Sequence, residues 1–176
     1  FSWYDHYLRK FFSCPHYLVD EILTEVVKMS PFAFERLVVQ LLLAMGYGNS
    51  LSENGLVTKK SGDEGIDGII KEDKLGFDNI YIQAKCWKID SIVGRGELQK
   101  FTGALAGQKA TKGLFITTAK FSKDALSFPN NLGSSTKIVL IDGTKLAKLM
   151  IEHNLGVSIS NTYIIRRIDS DYFSNL

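Results

Sequence analysis

The chain has 176 residues and a formal net charge of +2, with 45% apolar and 23% charged residues. This length suffices for one substantial hydrophobic core and is short for two, so we expect a single globular domain with a small appendage. The longest apolar run, "LVVQLLLAM", is about half of what a membrane span requires, and no signal-like N-terminus is visible. We therefore expect a cytoplasmic protein, and a chain that begins at Phe1 rather than Met suggests a fragment.

Residues 1–29 are rich in aromatic side chains, and we interpret them as an N-terminal helical or linker segment. One or two short helices are expected here, packed outside the main core. The apolar residues at helical spacing are Leu18, Ile22, Val26 and Met29. We assign residues 30–176 to the main domain.

The main domain opens with a predicted helix. Ser30 can cap this helix and Pro31 suits its first position, while Gly46 and Gly48 end it. Nearly the whole circumference between them is apolar, which indicates a buried helix that is covered on more than one side.

Three strand candidates follow, separated by turn signals, and this pattern favours a meander: "LVTKK", "IDGIIK" and "IYIQAKCW". Helices and strands then alternate as helix "GRGELQKFTGALAGQKA", strand "GLFITTA", helix "SKDALSF", strand "KIVLID" and helix "GTKLAKLMIEHN", before a last extended stretch, "VSISNTYIIRRI". The predicted fold class is α/β, with a mixed central sheet flanked by helices on both faces.

The strand "IYIQAKCW" carries polar side chains on one face. Because strand residues alternate between faces, Gln83 and Lys85 stand side by side, opposite an apolar face. A hairpin would return the chain so that Asp67, near the preceding strand, approaches them. One interpretation is an ion pair between Asp67 and Lys85. The other is a Mg²⁺ site with Asp67, the Gln83 side-chain oxygen and the Ala84 carbonyl as ligands, beside which Lys85 activates water.

Other metal or phosphate patterns are absent from the sequence. Cys14 and Cys86 form no disulfide framework, and His6 and His16 do not complete a zinc pattern with Cys14. Cys86 falls on the apolar strand face, where a free thiol behaves as a small hydrophobe. No phosphate loop of the GxxxxGK[ST] type occurs.

Several motifs occur in order along the chain: "SGDEGIDGII", "IYIQAKCW", "VGRGELQKFTGALAGQKATKGLFITTAKFSKDA" and "IVLIDGTKLAKLMIEHNLGVS". Over residues 30–173 they closely resemble the catalytic domain of Mrr-like restriction endonucleases, a branch of the PD-(D/E)xK nuclease superfamily. The resemblance implies a restriction-endonuclease-like fold, with Asp67 as a metal ligand and Lys85 acting at the attacking water. Gln83 stands where most of the superfamily has an acid, and glutamine is usual in this branch.

An amide oxygen is a weaker Mg²⁺ ligand than a carboxylate, so a second acid could restore the charge. Glu35, near the start of the first main-domain helix, is the candidate, although it also suits the helix dipole or a salt bridge. Related nucleases place a polar residue near the phosphate where Gln99 stands, and an exposed helix position is the alternative. Asp63 and Glu64 are interpreted as solvated turn residues rather than ligands.

A net charge of +2 does not by itself indicate a nucleic-acid partner, so the position of the basic residues matters. Those that flank the site in sequence are Lys59, Lys60, Lys88, Arg95, Lys100, Lys109, Lys112, Lys120 and Lys123. They would neutralise DNA phosphates, although most also suit a solvated surface. The DNA-binding candidates are Lys60, Lys88, Arg95, Gln99, Thr118, Lys120 and Ser122. In "TTAKFSKDA", Thr117, Thr118 and Ser122 suit either a phosphate at a helix N-terminus or simple capping.

The resemblance implies a metal-dependent endodeoxyribonuclease that uses Mg²⁺ or Mn²⁺. Residues 30–176 would be the catalytic domain of a type IV restriction enzyme acting on methylated or otherwise modified double-stranded DNA. Cutting both strands needs two active sites, so a homodimer or higher oligomer is expected. A separate N-terminal recognition domain is expected in sequence missing from this chain. The alternatives are a DNA-binding module silenced by Gln83 and a nuclease similar to Holliday junction resolvases.

Overall fold

The computed structural model describes residues 15–48, 56–57, 65–73, 77–133, 136–159 and 167–174. Their helices are α1 (Pro15–Val26), α2 (Pro31–Ala44), α3 (Arg95–Gly107), α4 (Lys123–Ser127), α5 (Gly143–Glu152) and α6 (Ser170–Ser174), with a 3-10 helix at Phe128–Asn131. The strands are β1 (Leu56–Val57), β2 (Gly68–Lys71), β3 (Asn79–Lys85), β4 (Ile92–Val93), β5 (Lys112–Thr117), β6 (Lys120–Phe121) and β7 (Lys137–Ile141).

Five of the described strands form one sheet in the order β1-β2-β3-β5-β7. Strands β1, β2 and β3 pair antiparallel, which confirms the meander, whereas β3, β5 and β7 pair in parallel. The prediction of a mixed sheet is therefore confirmed. Because Gly68 pairs with Ile82, the start of β2 lies beside the end of β3. We call this region, where β2 begins and β3 and β5 end, the carboxyl end of the sheet.

One face of the sheet is covered by α1, α2 and α5. Helix α2 begins as predicted, because the Ser30 side chain accepts a hydrogen bond from Ala33 N–H and proline occupies the first turn. It is buried on more than one side, as its sequence predicts. The buried residues of α2 are Phe34, Leu37, Val38, Val39, Leu41 and Leu42.

The expected position of helix α1 is wrong. Its segment was expected outside the main core, yet four residues of α1 belong to the same buried cluster as Ile82 of the sheet. Those four are Val19, Ile22, Leu23 and Val26. Leu18 and Met29, which we had placed on the apolar stripe, are exposed. The helix packs through a stripe rotated from the predicted one, and it is part of the core.

The other face of the sheet is covered by α3 and α4. Leu98, Phe101 and Leu105 are fully buried there, at the helical spacing that the sequence predicts. The Phe101 ring lies edge-on to Phe115 of β5, with ring centroids 5.7 Å apart. Helices on both faces confirm the predicted layered arrangement.

The element boundaries differ from the prediction mainly after β3. This strand ends at Lys85, so Cys86 and Trp87 lie beyond it, and the Trp87 N–H turns back to the Lys85 carbonyl at 3.1 Å. The short pair β4 and β6 and the helix α6 were not predicted, because two to five residues carry no periodic signal. The extended stretch expected at 157–168 falls partly outside the described residues. No described helix has the length and apolarity needed to cross a membrane.

Candidate active site at the carboxyl end of the sheet

Asp67 is fixed where β2 begins. Its N–H donates to the Ile82 carbonyl at 2.8 Å, and its Oδ2 accepts a hydrogen bond from Ala84 N–H at 2.8 Å. These two bonds hold the carboxylate against the end of β3, as the predicted hairpin requires. The other carboxylate oxygen accepts no hydrogen bond from a described residue, so it can serve a ligand.

Gln83 is buried, with only 5% of its surface exposed. Its Oε1 has no hydrogen-bond partner among the residues that the structure describes. Gly65 passes directly over the amide with a φ of 93°, and a Cβ there would lie 2.8 Å from Nε2. A buried acceptor without a partner lowers the free energy of unfolding by about 1–3 kcal/mol. A hydrogen-bond donor or a cation bound to this oxygen would therefore be stabilising.

Lys85 is the last residue of β3 and is half-buried. The Asp67–Lys85 ion pair, our structural alternative, is not formed, and no other ion pair within the described ranges involves Lys85. The Lys85 carbonyl accepts hydrogen bonds from Thr117 Oγ1 at 2.7 Å and Thr118 N–H at 3.3 Å. The main chain of this lysine is thus held while its ammonium group is left without a carboxylate partner.

The strand faces of β3 are those the alternation predicts. Ile82 belongs to the core under α1, α2 and α5, whereas Tyr81 and Trp87 pack against the core under α3 and α4. We expected the face of Gln83 to be open to metal and phosphate. Gln83 is instead buried, and Gly65 lies directly over its amide.

Glu35 lies one turn into α2 and is brought close to Asp67. Burial raises the pKa of the Glu35 carboxyl, and the charge of the nearby Asp67 raises it further. A cation would be stabilising where the charge of one carboxylate disfavours the charged form of another, as Asp67 does for Glu35. The dipole role that we considered for Glu35 does not account for this proximity.

The donor set can be compared with the needs of a hard cation. Within the described ranges no group of three His, Cys, Asp or Glu side chains could hold a metal ion. Mg²⁺ typically takes only one or two carboxylates from a protein, together with waters and substrate phosphates. Asp67 and Glu35, which lie close enough for their charges to interact, fit that requirement, and Gln83 belongs to the strand end to which the Asp67 carboxylate is bonded. The role predicted for the Ala84 carbonyl stays a prediction, although Ala84 N–H does hold Asp67.

The predicted DNA-binding residues differ in exposure and in whether they lie within the described ranges. Lys88, Arg95, Gln99 and Lys120 are exposed, and the Arg95 guanidinium lies 5.4 Å from the centre of the Phe128 ring. Lys60, with Lys59, Asp63 and Glu64, lies outside the described residues. Two further lysines are engaged elsewhere: Lys100 pairs with Glu97, and Lys112 pairs with Glu72 and Asp78.

Thr118 and Ser122 are placed differently from our expectation. Thr118 is 1% exposed, and its hydroxyl bonds both the N–H and the carbonyl of Trp87. Ser122 Oγ accepts from Ala125 N–H and caps α4, which is the capping alternative. Both hydrogen-bonding roles of the Thr118 hydroxyl are taken up by Trp87, whereas a phosphate contact of Ser122 stays a prediction. Sequence reasoning missed that the two threonines anchor β3, because the signal lies in the pairing of β3 with β5.

Cys86 is a free thiol whose Sγ donates to the Val26 carbonyl at 3.7 Å. It packs against the core, as its strand position predicts. Burial raises the pKa of this thiol, against a smaller lowering by a hydrogen bond with Thr118. A buried thiol of raised pKa is a poor nucleophile, which agrees with a structural role.

Comparison with known proteins identifies the family. Residues 26–150 match the Mrr_cat model, described as restriction endonuclease. The chain is 44% identical over 156 residues to the type IV methyl-directed restriction enzyme EcoKMrr of Escherichia coli (strain K12), covering 89% of this chain and 49% of that enzyme. The chain thus spans about half the length of this relative.

A solved structure agrees on the fold. The DNA modification-dependent restriction endonuclease AspBHI superposes with a TM-score of 0.56 at 20% identity, over 79% of this chain and 36% of that one. MspJI restriction endonuclease, in complex with a 27-mer oligonucleotide, gives a TM-score of 0.48 at 24% identity, over 86% and 32%. The expected restriction-endonuclease-like α/β fold is confirmed, and the chain belongs to the Mrr-type restriction endonuclease family.

Proposed function

We propose that this chain carries the active site of a metal-dependent endodeoxyribonuclease that hydrolyses phosphodiester bonds in double-stranded DNA. The observation that carries the proposal is the buried Gln83 Oε1, which has no partner among the described residues, at the end of the strand that presents Lys85 and binds the Asp67 carboxylate through Ala84 N–H. Family membership supports the reaction class, and the local geometry supports the residues.

The proposed cation site uses Asp67 and the Gln83 oxygen, with Glu35 as the second carboxylate. A divalent cation such as Mg²⁺ or Mn²⁺ polarises a phosphodiester and lowers the pKa of bound water. Asp67 keeps one oxygen on Ala84 N–H, which orients the carboxylate. Gln83 contributes no charge, so the charge of Glu35 supplements that of Asp67.

Lys85 is proposed to act beside that site. Its ammonium group has no carboxylate partner in the described part of the chain. A fixed cation can hold the attacking water by hydrogen bonding and offset negative charge that builds on the phosphate oxygens. Because Lys85 ends the strand that also carries Gln83, its ammonium group would act on the same phosphodiester as the cation held by Gln83 and Asp67.

DNA contact is proposed for the exposed residues near this end of the fold, namely Lys88, Arg95, Gln99 and Lys120. Strand pairing of β4 with β6 brings the segment after Lys88 beside Lys120. Such contacts to phosphates carry affinity without sequence information. Lys60 remains a further candidate.

For the whole protein we propose a cytoplasmic type IV enzyme acting on methylated or otherwise modified DNA. The relative EcoKMrr is named for methyl-directed restriction, and this chain corresponds to about half of its length. We propose that recognition of the modification belongs to a separate domain, and that a homodimer or higher oligomer cuts both strands. The proposed catalytic unit comprises residues 30–176 together with α1, since α1 packs in its core.

Cleavage of supercoiled plasmid tests this function. Wild type, Lys85→Ala and the control Lys148→Ala, which changes an exposed lysine of α5, are compared with Mg²⁺, Mn²⁺ or EDTA. We expect metal-dependent nicking that falls by about a hundredfold or more in Lys85→Ala and is unchanged in Lys148→Ala. Nicking in EDTA, or full activity of Lys85→Ala, would contradict the proposal.

A second function is favoured by the neutral Gln83 and by the lack of a three-ligand group among the described residues. It is a DNA-binding module with a nuclease fold that does not cut. Binding of duplex DNA that is equal in all three proteins, without nicking in either metal, would support this alternative instead.

A further inference from the structure

Two buried threonines lie directly beside the site. Thr117 is 0% exposed and Thr118 is 1% exposed, and apart from Gln83 they are the buried polar residues of the described chain. Thr117 is the last residue of β5, which pairs in parallel with the end of β3, and Thr118 follows it directly. Neither has yet been given a part in the proposed reaction.

Thr117 holds the main chain of Lys85. Its Oγ1 donates to the Lys85 carbonyl at 2.7 Å and accepts from Ala119 N–H at 3.1 Å. The Thr118 N–H adds a bond to the same carbonyl at 3.3 Å. The residue that carries the catalytic ammonium group is therefore fixed through its backbone by two consecutive threonines.

Thr118 holds the chain two residues further on. Its hydroxyl accepts from Trp87 N–H at 2.8 Å, a shorter bond than the one the same N–H makes to the Lys85 carbonyl at 3.1 Å, and it donates to the Trp87 carbonyl. Lys85 to Trp87 is the point at which the chain leaves the sheet, where no strand ladder constrains it further. The two side chains together replace the missing ladder bonds.

The threonine segment is itself braced by α5. Gly143 N–H donates to the Ala119 carbonyl at 3.1 Å, and a Cβ at Gly143 would lie 2.3 Å from the Thr118 carbonyl oxygen. The helix thus approaches the backbone at Thr118 as closely as glycine allows. From the β2 side, Asp67 holds Ala84 N–H, so the end of β3 is gripped by both neighbouring strands.

We propose that Thr117 and Thr118 are positioning residues, whose hydroxyls fix the backbone from Lys85 to Trp87 so that the Lys85 ammonium group meets the attacked phosphodiester. This inference rests on the proposed function. A misplacement of about 1 Å can cost about a hundredfold in rate, so a loosened Lys85 should lower kcat while DNA binding, made by other residues, stays the same.

Paired substitutions separate positioning from packing. Valine keeps the shape of threonine and loses the hydroxyl, whereas serine keeps the hydroxyl and loses the methyl. We expect Thr117→Val to lower kcat for plasmid nicking about tenfold or more with KM within about twofold, and Thr117→Ser to keep kcat within about threefold. Equal kcat in the two variants, or kcat that follows Tm in both, would overturn the proposal.

A second measurement needs no activity and keeps the test decisive if Thr117→Val does not fold. In Thr118→Val, which leaves the Thr117 bond to Lys85 in place, we expect amide hydrogen exchange at Trp87 N–H to accelerate by about tenfold or more, and Thr118→Ser to exchange as wild type. Unchanged exchange at Trp87 N–H would overturn the proposal that the threonine hydroxyls fix this part of the backbone. If wild type never nicks DNA, the proposed function fails, while exchange still decides whether the threonines hold this chain.

Discussion

Gln83 is almost completely buried, and its acceptor oxygen has no hydrogen-bond partner among the described residues, a combination that is rare. Natural proteins retain such atoms chiefly where function requires them. We therefore expect Gln83→Met, which has a similar length and no amide, to raise the free energy of unfolding without metal by about 1 kcal/mol while nicking is lost. Urea unfolding in EDTA measures the first effect and plasmid nicking the second.

The control for this substitution is Gln99→Met at an exposed position of α3. It should leave unfolding within about 0.5 kcal/mol of wild type. A Gln83→Met protein that is less stable than wild type and still cuts DNA would show that the amide is structural.

Glu35 gives a prediction for pH. Because burial and then Asp67 raise the pKa of its carboxyl in the folded state, folding favours the protonated form. The associated stability is present below the ordinary pKa of 4.5 and is lost as pH rises through the folded-state pKa. Glu35→Gln should therefore be more stable than wild type at pH 7 by up to about 0.5 kcal/mol, and this difference should vanish in acid.

Thermal unfolding between pH 3 and pH 8, roughly the range over which a carboxyl titrates, measures this difference in EDTA. Glu152→Gln, at an exposed position of α5, is the matched control. Added Mg²⁺ should stabilise wild type more than Glu35→Gln. A pH-independent difference, or equal stabilisation by Mg²⁺, would argue against Glu35 at the cation site.

At the residue scale, the sequence predicts the faces of β3 correctly because strand alternation is a local property. It does not predict that Gln83 is buried, since this depends on Gly65, before β2, lying over its amide. The role of Thr118 was missed because its hydroxyl bonds Trp87, which follows β3 in a distant part of the sequence. The sequence pattern alone does not bring Glu35 to Asp67, and the family resemblance suggested Glu35.

At the scale of elements, the contact between α3 and β5 is the tightest test of packing. A Cβ at Gly113 would lie 2.6 Å from Leu105 Cδ1 and 2.9 Å from Phe101 Cε1. We expect Gly113→Ala to lower the free energy of unfolding by about 1–3 kcal/mol, as overpacked cores do. Gly103, in the middle of α3, has no atom within 4 Å of a Cβ position.

Gly103→Ala is thus the matched control and should raise stability by about 0.5–1 kcal/mol, the usual gain of alanine over glycine within a helix. Urea unfolding of both variants measures the difference. Equal effects of the two substitutions would contradict the close packing of α3 on β5.

The main elements could be predicted because each is long enough to show a period and is bounded by a turn or cap residue. Ser30 and Pro31 mark the start of α2 in the sequence and in the structure. The pair β4 and β6 could not be predicted, since each strand has only two residues and is defined by its hydrogen bonds to the other strand. The position of α1 was misjudged because a stripe shifted by one residue changes the face that packs.

At the scale of the whole molecule, a net charge of +2 gives little general attraction for DNA. Binding should therefore depend on a few placed cations. We expect Lys88→Ala and Lys120→Ala each to reduce the slope of log affinity against log salt by about one. Fluorescence anisotropy with a labelled duplex at several salt concentrations measures it, and Lys148→Ala should leave the slope unchanged. A slope that is unaltered in all three variants would show that DNA does not contact Lys88 and Lys120.

The central claim is that a divalent cation lies at the carboxyl end of the sheet, among Glu35, Asp67 and Gln83. The most direct measurement replaces Mg²⁺ with Fe²⁺, generates hydroxyl radicals at the bound ion with ascorbate and peroxide, and maps the protein backbone cuts by mass spectrometry. We expect cuts clustered around these three residues, suppressed by excess Mg²⁺ and lost in Asp67→Asn. Cuts in other parts of the chain, or a pattern unchanged by Asp67→Asn, would contradict it.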